Sequence, residues 1–174
     1  MDHSDHVALI RDAVQPGETW LELGSGTGAF TLALADLVGP RGTIHSIDQD
    51  RGALKTQATA IGAHDGGVRL DQRAADFTRP LGFSGMDGVL MANSLHFVRD
   101  KAPVLALVRS YLAPGGRFVL VEYDADRGNH WVPHPISYTT WLAVAPAAGF
   151  NGARLLGRVP SRFLNAIYAS VATV

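Results

Sequence analysis

Residues 20–30 read WLELGSGTGAF, an apolar run that ends at Glu22 and Leu23 and then breaks into Gly24, Gly26 and Gly28. A glycine-rich turn between a strand and a helix lets the backbone come close to a ligand, because glycine has no Cβ and tolerates positive φ. Two kinds of ligand use such a turn. One is a dinucleotide, whose pyrophosphate sits on the helix N-terminus; the other is a nucleoside carrying an amino acid in place of phosphates. Two further acids stand at ends of apolar runs. SIDQD puts Asp48 24 positions beyond Gly24, near the spacing of a carboxylate that accepts hydrogen bonds from ribose hydroxyls. RAADF puts Asp76 where it can accept from an exocyclic amine. No Lys or Arg lies in or beside the glycine loop. Carboxylates at Glu22, Asp48 and Asp76 therefore disfavour a pyrophosphate and suit a cationic, phosphate-free ligand.

Each of these residues also has a plainer role. Gly24 and Gly28 permit tight strand-to-helix packing, Asp48 can cap a helix starting near Arg51, and Asp76 can be a turn residue. The glycines also fit G-x-G-x-x-A, ending at Ala29, which dinucleotide enzymes use.

Candidate catalytic groups come later in the chain. His96, in NSLHFV, follows an apolar strand and is the candidate general base; its alternative role is to hold its loop by bonding backbone. Tyr123, beside Glu122 at the end of RFVLVEY, is a second candidate on the same rim. Residues 124–140 form the least regular stretch, and Trp131, His130, His134 and Tyr138 there suit a planar or apolar acceptor. His130 and His134 have helical spacing, but Pro133 and Pro135 deny them a helix. No metal is expected at that pair or at His3 and His6.

The elements that must position these groups alternate regularly. Val7, Ile10 and Val14 mark a short helix that stops at QPGE; TWLEL, GTIHSID, GVRLDQ, MDGVLMA and RFVLVEY read as strands. AFTLALADLVG, RGALKTQATAIG and DKAPVLALVRSYL read as the helices between them. Near-continuous apolar strands alternating with helices imply a mostly parallel α/β sheet covered on both faces. GARLLGRV and FLNAIYASVA, separated by Pro160, Ser161 and Arg162, add an antiparallel hairpin at the C-terminus.

The chain has 174 residues, a length that suits a single domain over 1–174. Its 15 Lys and Arg against 16 Asp and Glu leave no basic surplus for nucleic acid. Absence of cysteine excludes disulfides and thiolate chemistry. The N-terminus shows no basic region followed by an apolar stretch, and no run approaches the ~20 apolar residues of a membrane span. The expectation is a cytoplasmic protein with a small-molecule partner, no nucleic acid and no membrane.

ELGSGTG, followed in order by Asp48, Asp76, NSLHFV and YLAPGGRFVLVEY, resembles the class I S-adenosylmethionine-dependent methyltransferases over roughly residues 5–173. The resemblance implies a Rossmann-like seven-stranded sheet and S-adenosylmethionine as cofactor. It implies that the backbone at Glu22 and Gly24 and the loop at Gly26 receive the methionine end, and that Asp48 binds both ribose hydroxyls. Asp76 would take the adenine amine and the Phe77 N–H a ring nitrogen, with Asn93 and Leu95 closing over the ligand. Gln49 departs from the pattern, standing where the family often places an apolar residue against adenine. Methylation of a small molecule is the function this implies. A non-catalytic S-adenosylmethionine-binding module working through a partner, and an NAD(P)-dependent oxidoreductase, are the alternatives.

Overall fold

The computed structural model describes residues 1–64 and 66–174. In chain order its elements are α1 (His3–Ile10), β1 (Thr19–Leu23), α2 (Ala29–Val38), β2 (Thr43–Asp48), α3 (Arg51–Gly62) and β3 (Arg69–Ala74). They continue with β4 (Met86–Ala92), α4 (Ala102–Tyr111), β5 (Leu112–Tyr123), α5 (Tyr138–Ala147), β6 (Asn151–Pro160) and β7 (Ala166–Thr173). The strands form one seven-stranded sheet in the order β3-β2-β1-β4-β5-β7-β6. β1 to β5 pair in parallel, while β7 runs antiparallel to both β5 and β6. This is the Rossmann-like sheet with a C-terminal antiparallel hairpin that the apolar pattern implies.

Three helices start where a short polar side chain satisfies orphan N–H groups. Asp2 and Asp5 form a reciprocal capping box at α1, the Asp50 carboxylate accepts from Gly52 and Ala53 at α3, and the Ser137 hydroxyl accepts from Thr140 at α5. The helices bury two cores, one on each face of the sheet. Leu9, Trp20, Phe30, Leu34, Ile44 and Val119 pack on the α1–α2 side; Leu105, Phe118, Leu120, Trp141, Phe150 and Tyr168 pack on the α4–α5 side. Full burial of such a side chain contributes roughly 1.5–3 kcal/mol.

Two boundaries differ from those the sequence pattern suggests. β3 is shifted two residues along from GVRLDQ, because pairing Thr43 with Arg69 and Asp48 with Ala74 brings its end level with the end of β2. β5 begins at Leu112, inside the LAPGG segment: Met86 pairs with Leu112 and Gly88 with Arg117, so the intervening residues bulge. In the hairpin, β7 lies between β5 and β6 and is buried almost throughout, whereas the edge strand β6 carries Arg154, Arg158 and a terminal Pro160. Charge and proline at an open edge discourage further strand pairing.

Candidate active site

A cavity of about 380 Å³ opens at the carboxyl ends of the first four strands. Gly24 and Gly26 follow β1, Asp48 and Gln49 close β2, Asp76, Phe77 and Thr78 follow β3, and Asn93, Ser94, Phe97 and Val98 follow β4. β2 and β3 lie on one side of β1 and β4 on the other, so the cavity sits at the switch point of the strand order.

The glycines have distinct reasons. Gly24 has φ +76° and its N–H donates to the Ile47 carbonyl at 2.8 Å; a Cβ there would lie 2.4 Å from the Ser94 Cβ. The Ser94 hydroxyl in turn donates to the Leu23 carbonyl at 2.7 Å. The loops after β1 and β4 are thereby locked together. At Gly26, with φ +54°, a Cβ would meet nothing within 4 Å, and the N–H donates to Asp48 Oδ2 at 2.8 Å. Gly28 is a packing residue, its absent side chain letting the start of α2 lie against Gln57 of α3.

Asp48 thus organises the glycine loop. Its other oxygen accepts from the Asp50 N–H at 2.8 Å, and Asp50 itself caps α3, so the capping role open to Asp48 is filled elsewhere. A carboxylate offers about four acceptor sites, which leaves Asp48 free to accept further bonds toward the cavity. Asp76 accepts from the Thr78 N–H at 2.9 Å and the Thr78 hydroxyl at 2.7 Å, all on Oδ1. Those bonds hold its carboxyl below the usual range, so it stays an ionised acceptor.

Glu22 corrects the expectation of three acids around the cavity. It shares the α2 face of β1 with Trp20, since strand side chains alternate, and it is 1% exposed and does not line the cavity. Its Oε2 accepts from the Thr31 hydroxyl of α2 at 2.5 Å. Burial pushes its carboxyl up to about 8, against the Thr31 bond and with help from the Asp48 charge. It is therefore a neutral acid at pH 7. From it a buried polar chain runs through Thr31 and Gln57 to the hydroxyls of Ser46 and Ser25 beneath the glycine loop. The cavity keeps two acids, Asp48 and Asp76, and no Lys or Arg lines it.

After β4 the chain turns at Asn93, with φ +52° and its N–H on the Val121 carbonyl at 2.9 Å. Asn93 Oδ1 is the only buried side-chain polar atom without a hydrogen-bond partner among the described residues. Such an atom costs free energy unless a ligand or water meets it. Leu95 does not close over the cavity: it is fully buried in the α4–α5 core, and Phe97 and Val98 hold the rim in its place. The geometry of a 3₁₀ turn, Leu95–Phe97, turns Leu95 inward and leaves Phe97 63% exposed.

His96 is 3% exposed and does not itself line this cavity; its ring packs behind the rim. Its ring stands 4.4 Å from Phe97 and 5.6 Å, edge-on, from Tyr123. Nδ1 lies 2.9 Å from Glu122 Oε1, and the backbone N–H donates to Glu122 Oε2 at 3.0 Å. With a carboxylate as acceptor, Nδ1 carries the proton and Nε2 presents its lone pair. The backbone of His96 holds the loop as well, its carbonyl accepting from the His134 N–H at 3.0 Å. Burial, with Glu122 adding to it, raises the Tyr123 phenol above its usual value. Tyr123 is thus a hydrogen-bond donor rather than a base at neutral pH.

A second cavity of about 440 Å³ adjoins the first at Asn93 and is lined by Tyr123, Ile167 and the turn Pro160–Phe163, with Met1 at its edge. The sequence pattern points instead to residues 124–140, and none of those lines either cavity. Trp131 is 69% exposed beside His130, Tyr138 opens α5 beneath the Arg158 guanidinium, and His134 braces the His96 loop from outside. Antiparallel pairing of β7 with β5 sets Ile167 opposite Tyr123, which carries the β6–β7 turn to the carboxyl end of β5. Ser161, Arg162 and Phe163 are cavity-lining residues that sequence reading missed, and the hairpin's direction was the signal for them. Among the described residues no group of three or more His, Asp or Glu is placed to hold a metal, and no helix is long and apolar enough to cross a membrane.

The sequence profile described as "Methyltransferase domain" matches residues 21–118, more than half of the chain and all four strand ends of the first cavity. The chain belongs to the methyltransferase domain family. Over 118 residues this methyltransferase domain is 32% identical to a ubiquinone/menaquinone biosynthesis C-methyltransferase UbiE of Teredinibacter turnerae, covering 67% of the chain and 47% of that protein. The chain thus spans about half the length of that curated relative. In structure it is similar to an S-adenosylmethionine-dependent methyltransferase of Methanosarcina mazei, with TM-score 0.75 at 18% identity over 94% of this chain and 95% of the other. A second such methyltransferase, from Aquifex aeolicus, gives TM-score 0.72 at 16% identity over 100% and 99%. At those identities the likeness carries the fold. The family implies S-adenosylmethionine as cofactor, and the methyltransferase domain's first cavity fits it: two acids, with no Lys or Arg among the described residues that line it, suit a sulfonium and an ammonium, and Asn93, whose Oδ1 is an orphan acceptor, is among its lining residues.

Proposed function

We propose that the protein transfers a methyl group from S-adenosylmethionine to a small-molecule acceptor. The observation that carries this reading is a cavity lined by Asp48 and Asp76, and by no cation, at the switch point of the sheet. Asp48 would accept from both ribose hydroxyls, Asp76 from the adenine amine, and the Phe77 N–H would meet a ring nitrogen. Gln49, exposed on the rim, would cover adenine. Gly24 and Gly26 would leave room for the methionine end, with Asn93 Oδ1 accepting from its ammonium. The cofactor supplies an electrophilic methyl on a sulfonium. Bound there, it would offer that methyl to the acceptor's own electron pair, and His96 Nε2 would take the acceptor's proton. Glu122 holds the ring in the tautomer this needs. Tyr123 donates a hydrogen bond from the acceptor side. The alignment of the reacting atoms, held by fixed loops, supplies much of the acceleration in such a displacement. A carbon acceptor is in keeping with the C-methyltransferase name of the UbiE relative.

Asp48 tests the cofactor geometry. Hydrogen bonds to a charged group contribute about 1.5–3 kcal/mol each, with water replacing part of that in an opened site. Asp48→Ala is expected to weaken S-adenosylhomocysteine binding by roughly 10 to 1,000-fold, taking ~1.4 kcal/mol per tenfold. Asp48→Asn should fall between, because its amide oxygen still accepts while its NH₂ opposes a donor. Calorimetric titration gives the affinities, and parent-like binding by Asp48→Ala removes the ribose assignment.

A further inference from the structure

The two cavities have opposite electrical character. Asp48 and Asp76 are the charged side chains of the first, whereas among the described residues Arg162 is the only charged side chain lining the second, which Met1 also lines. Among the described residues Arg162 makes no ion pair. The nearby Asp124 is already engaged, with Oδ2 3.0 Å from Arg158 and Oδ1 accepting from the Tyr138 N–H. Arg162 is not on a loose tip. The turn that presents it is closed by the Ser161 N–H on the Asn165 carbonyl at 3.2 Å and by the Phe163 N–H on the Ser161 hydroxyl at 3.1 Å. Asn129 ties it to the body of the protein by donating to the Phe163 carbonyl at 3.4 Å. Beside Arg162, Phe163 is 60% exposed, and Pro160 and Ile167 complete an apolar wall. A guanidinium beside an apolar wall is suited to a flat ligand carrying a carboxylate, which Arg can meet with two parallel N–H donors.

We propose that the second cavity is an acceptor subsite for small aromatic carboxylates, with the carboxylate on Arg162 and the ring against Phe163. The inference rests on the methyltransferase reading for the meaning of "acceptor", since the shared residue Asn93 is what brings the ring's far side to the first cavity. The volume, about 440 Å³, suits a one-ring molecule. The opposite charges of the two cavities would also orient the pair, with a cationic cofactor on one side of Asn93 and an anionic acceptor on the other.

The test is calorimetric titration of benzoate and of neutral benzamide into the full chain, with and without saturating S-adenosylhomocysteine. The parent should bind benzoate at least about tenfold more tightly than benzamide, about 1.4 kcal/mol. Arg162→Gln should lose that preference, and Arg162→Lys should keep part of it. Neither variant should change the melting temperature or the affinity for S-adenosylhomocysteine, because Arg162 is exposed and lies outside the first cavity. Equal binding of benzoate and benzamide by the parent, absence of benzoate binding, or parent-like discrimination by Arg162→Gln would each overturn the proposal. Failure of the cofactor reading shows separately, as absence of S-adenosylhomocysteine binding by the parent, while the benzoate and benzamide titrations without it still decide the subsite.

Discussion

Replacing His96 by Asn is expected to lower the turnover rate by about 10²–10⁴-fold, the range contributed by a positioned general base, while leaving S-adenosylhomocysteine affinity near that of the parent. The choice of Asn matters. His96→Ala would remove the ring donor from the buried Glu122 carboxyl, leaving it only the His96 and Tyr123 backbone N–H groups, and a lost buried hydrogen bond is itself destabilising. The Asn amide can donate to Glu122 in place of Nδ1 but offers no base where Nε2 stands. The ring lies between Phe97, which lines the first cavity, and Tyr123, which lines the second. A base so placed acts only on the acceptor's proton, so the loss should fall on the chemical step. The measurement is kcat and cofactor Kd of both proteins, on an acceptor that turns over with the parent. Equal losses of rate and cofactor affinity would assign the His96 ring to holding its loop against Glu122.

The second large effect is on stability and comes from Glu22. Its carboxyl ionises near 4.5 when exposed and at about 8 in the fold. Between those values the folded protein holds a proton that the unfolded chain has released. The stabilising contribution of this proton is complete below about pH 4.5 and is lost progressively as the pH rises to about 8. The slope is about 1.4 kcal/mol for each pH unit in that window. Glu22→Gln keeps an oxygen that can accept from the Thr31 hydroxyl and has no proton to lose. Its stability relative to the parent should therefore climb steadily from pH 5 to pH 8. Urea unfolding at three pH values measures the difference, and a difference independent of pH would show that Glu22 is ionised in the fold.

Much of this site was legible because it is built from strand ends. The apolar run Trp20–Leu23 must be a buried strand, the glycines must end it, and Asp48 and Asp76 close or follow the next two strands, so the order of acids in the chain is their order around the cavity. Glu22 was misplaced for a physical reason: position at a strand end does not say which way a side chain points. Its place two residues beyond the buried Trp20, on the same face of the strand, sends it under α2 instead. Leu95 was misplaced because a 3₁₀ turn, invisible to periodicity, rotates it into the core. Residues 124–140 stand out in the sequence for their aromatic groups, while the turn at Ser161–Phe163 reaches the second cavity only through pairing of Tyr123 with Ile167. Contacts set by long-range strand pairing leave little trace in local sequence. The polar chain from Glu22 to Ser25 was hidden likewise, since Thr31, Ser46 and Gln57 come from three different elements.

The most direct measurement is a pair of calorimetric titrations of the parent protein, one with S-adenosylhomocysteine and one with NAD. A cavity that offers two carboxylates and no cation should bind the adenosyl amino acid and reject the pyrophosphate. Saturable binding of S-adenosylhomocysteine with no response to NAD is the predicted result; NAD binding in the micromolar range with no response to S-adenosylhomocysteine would contradict the account.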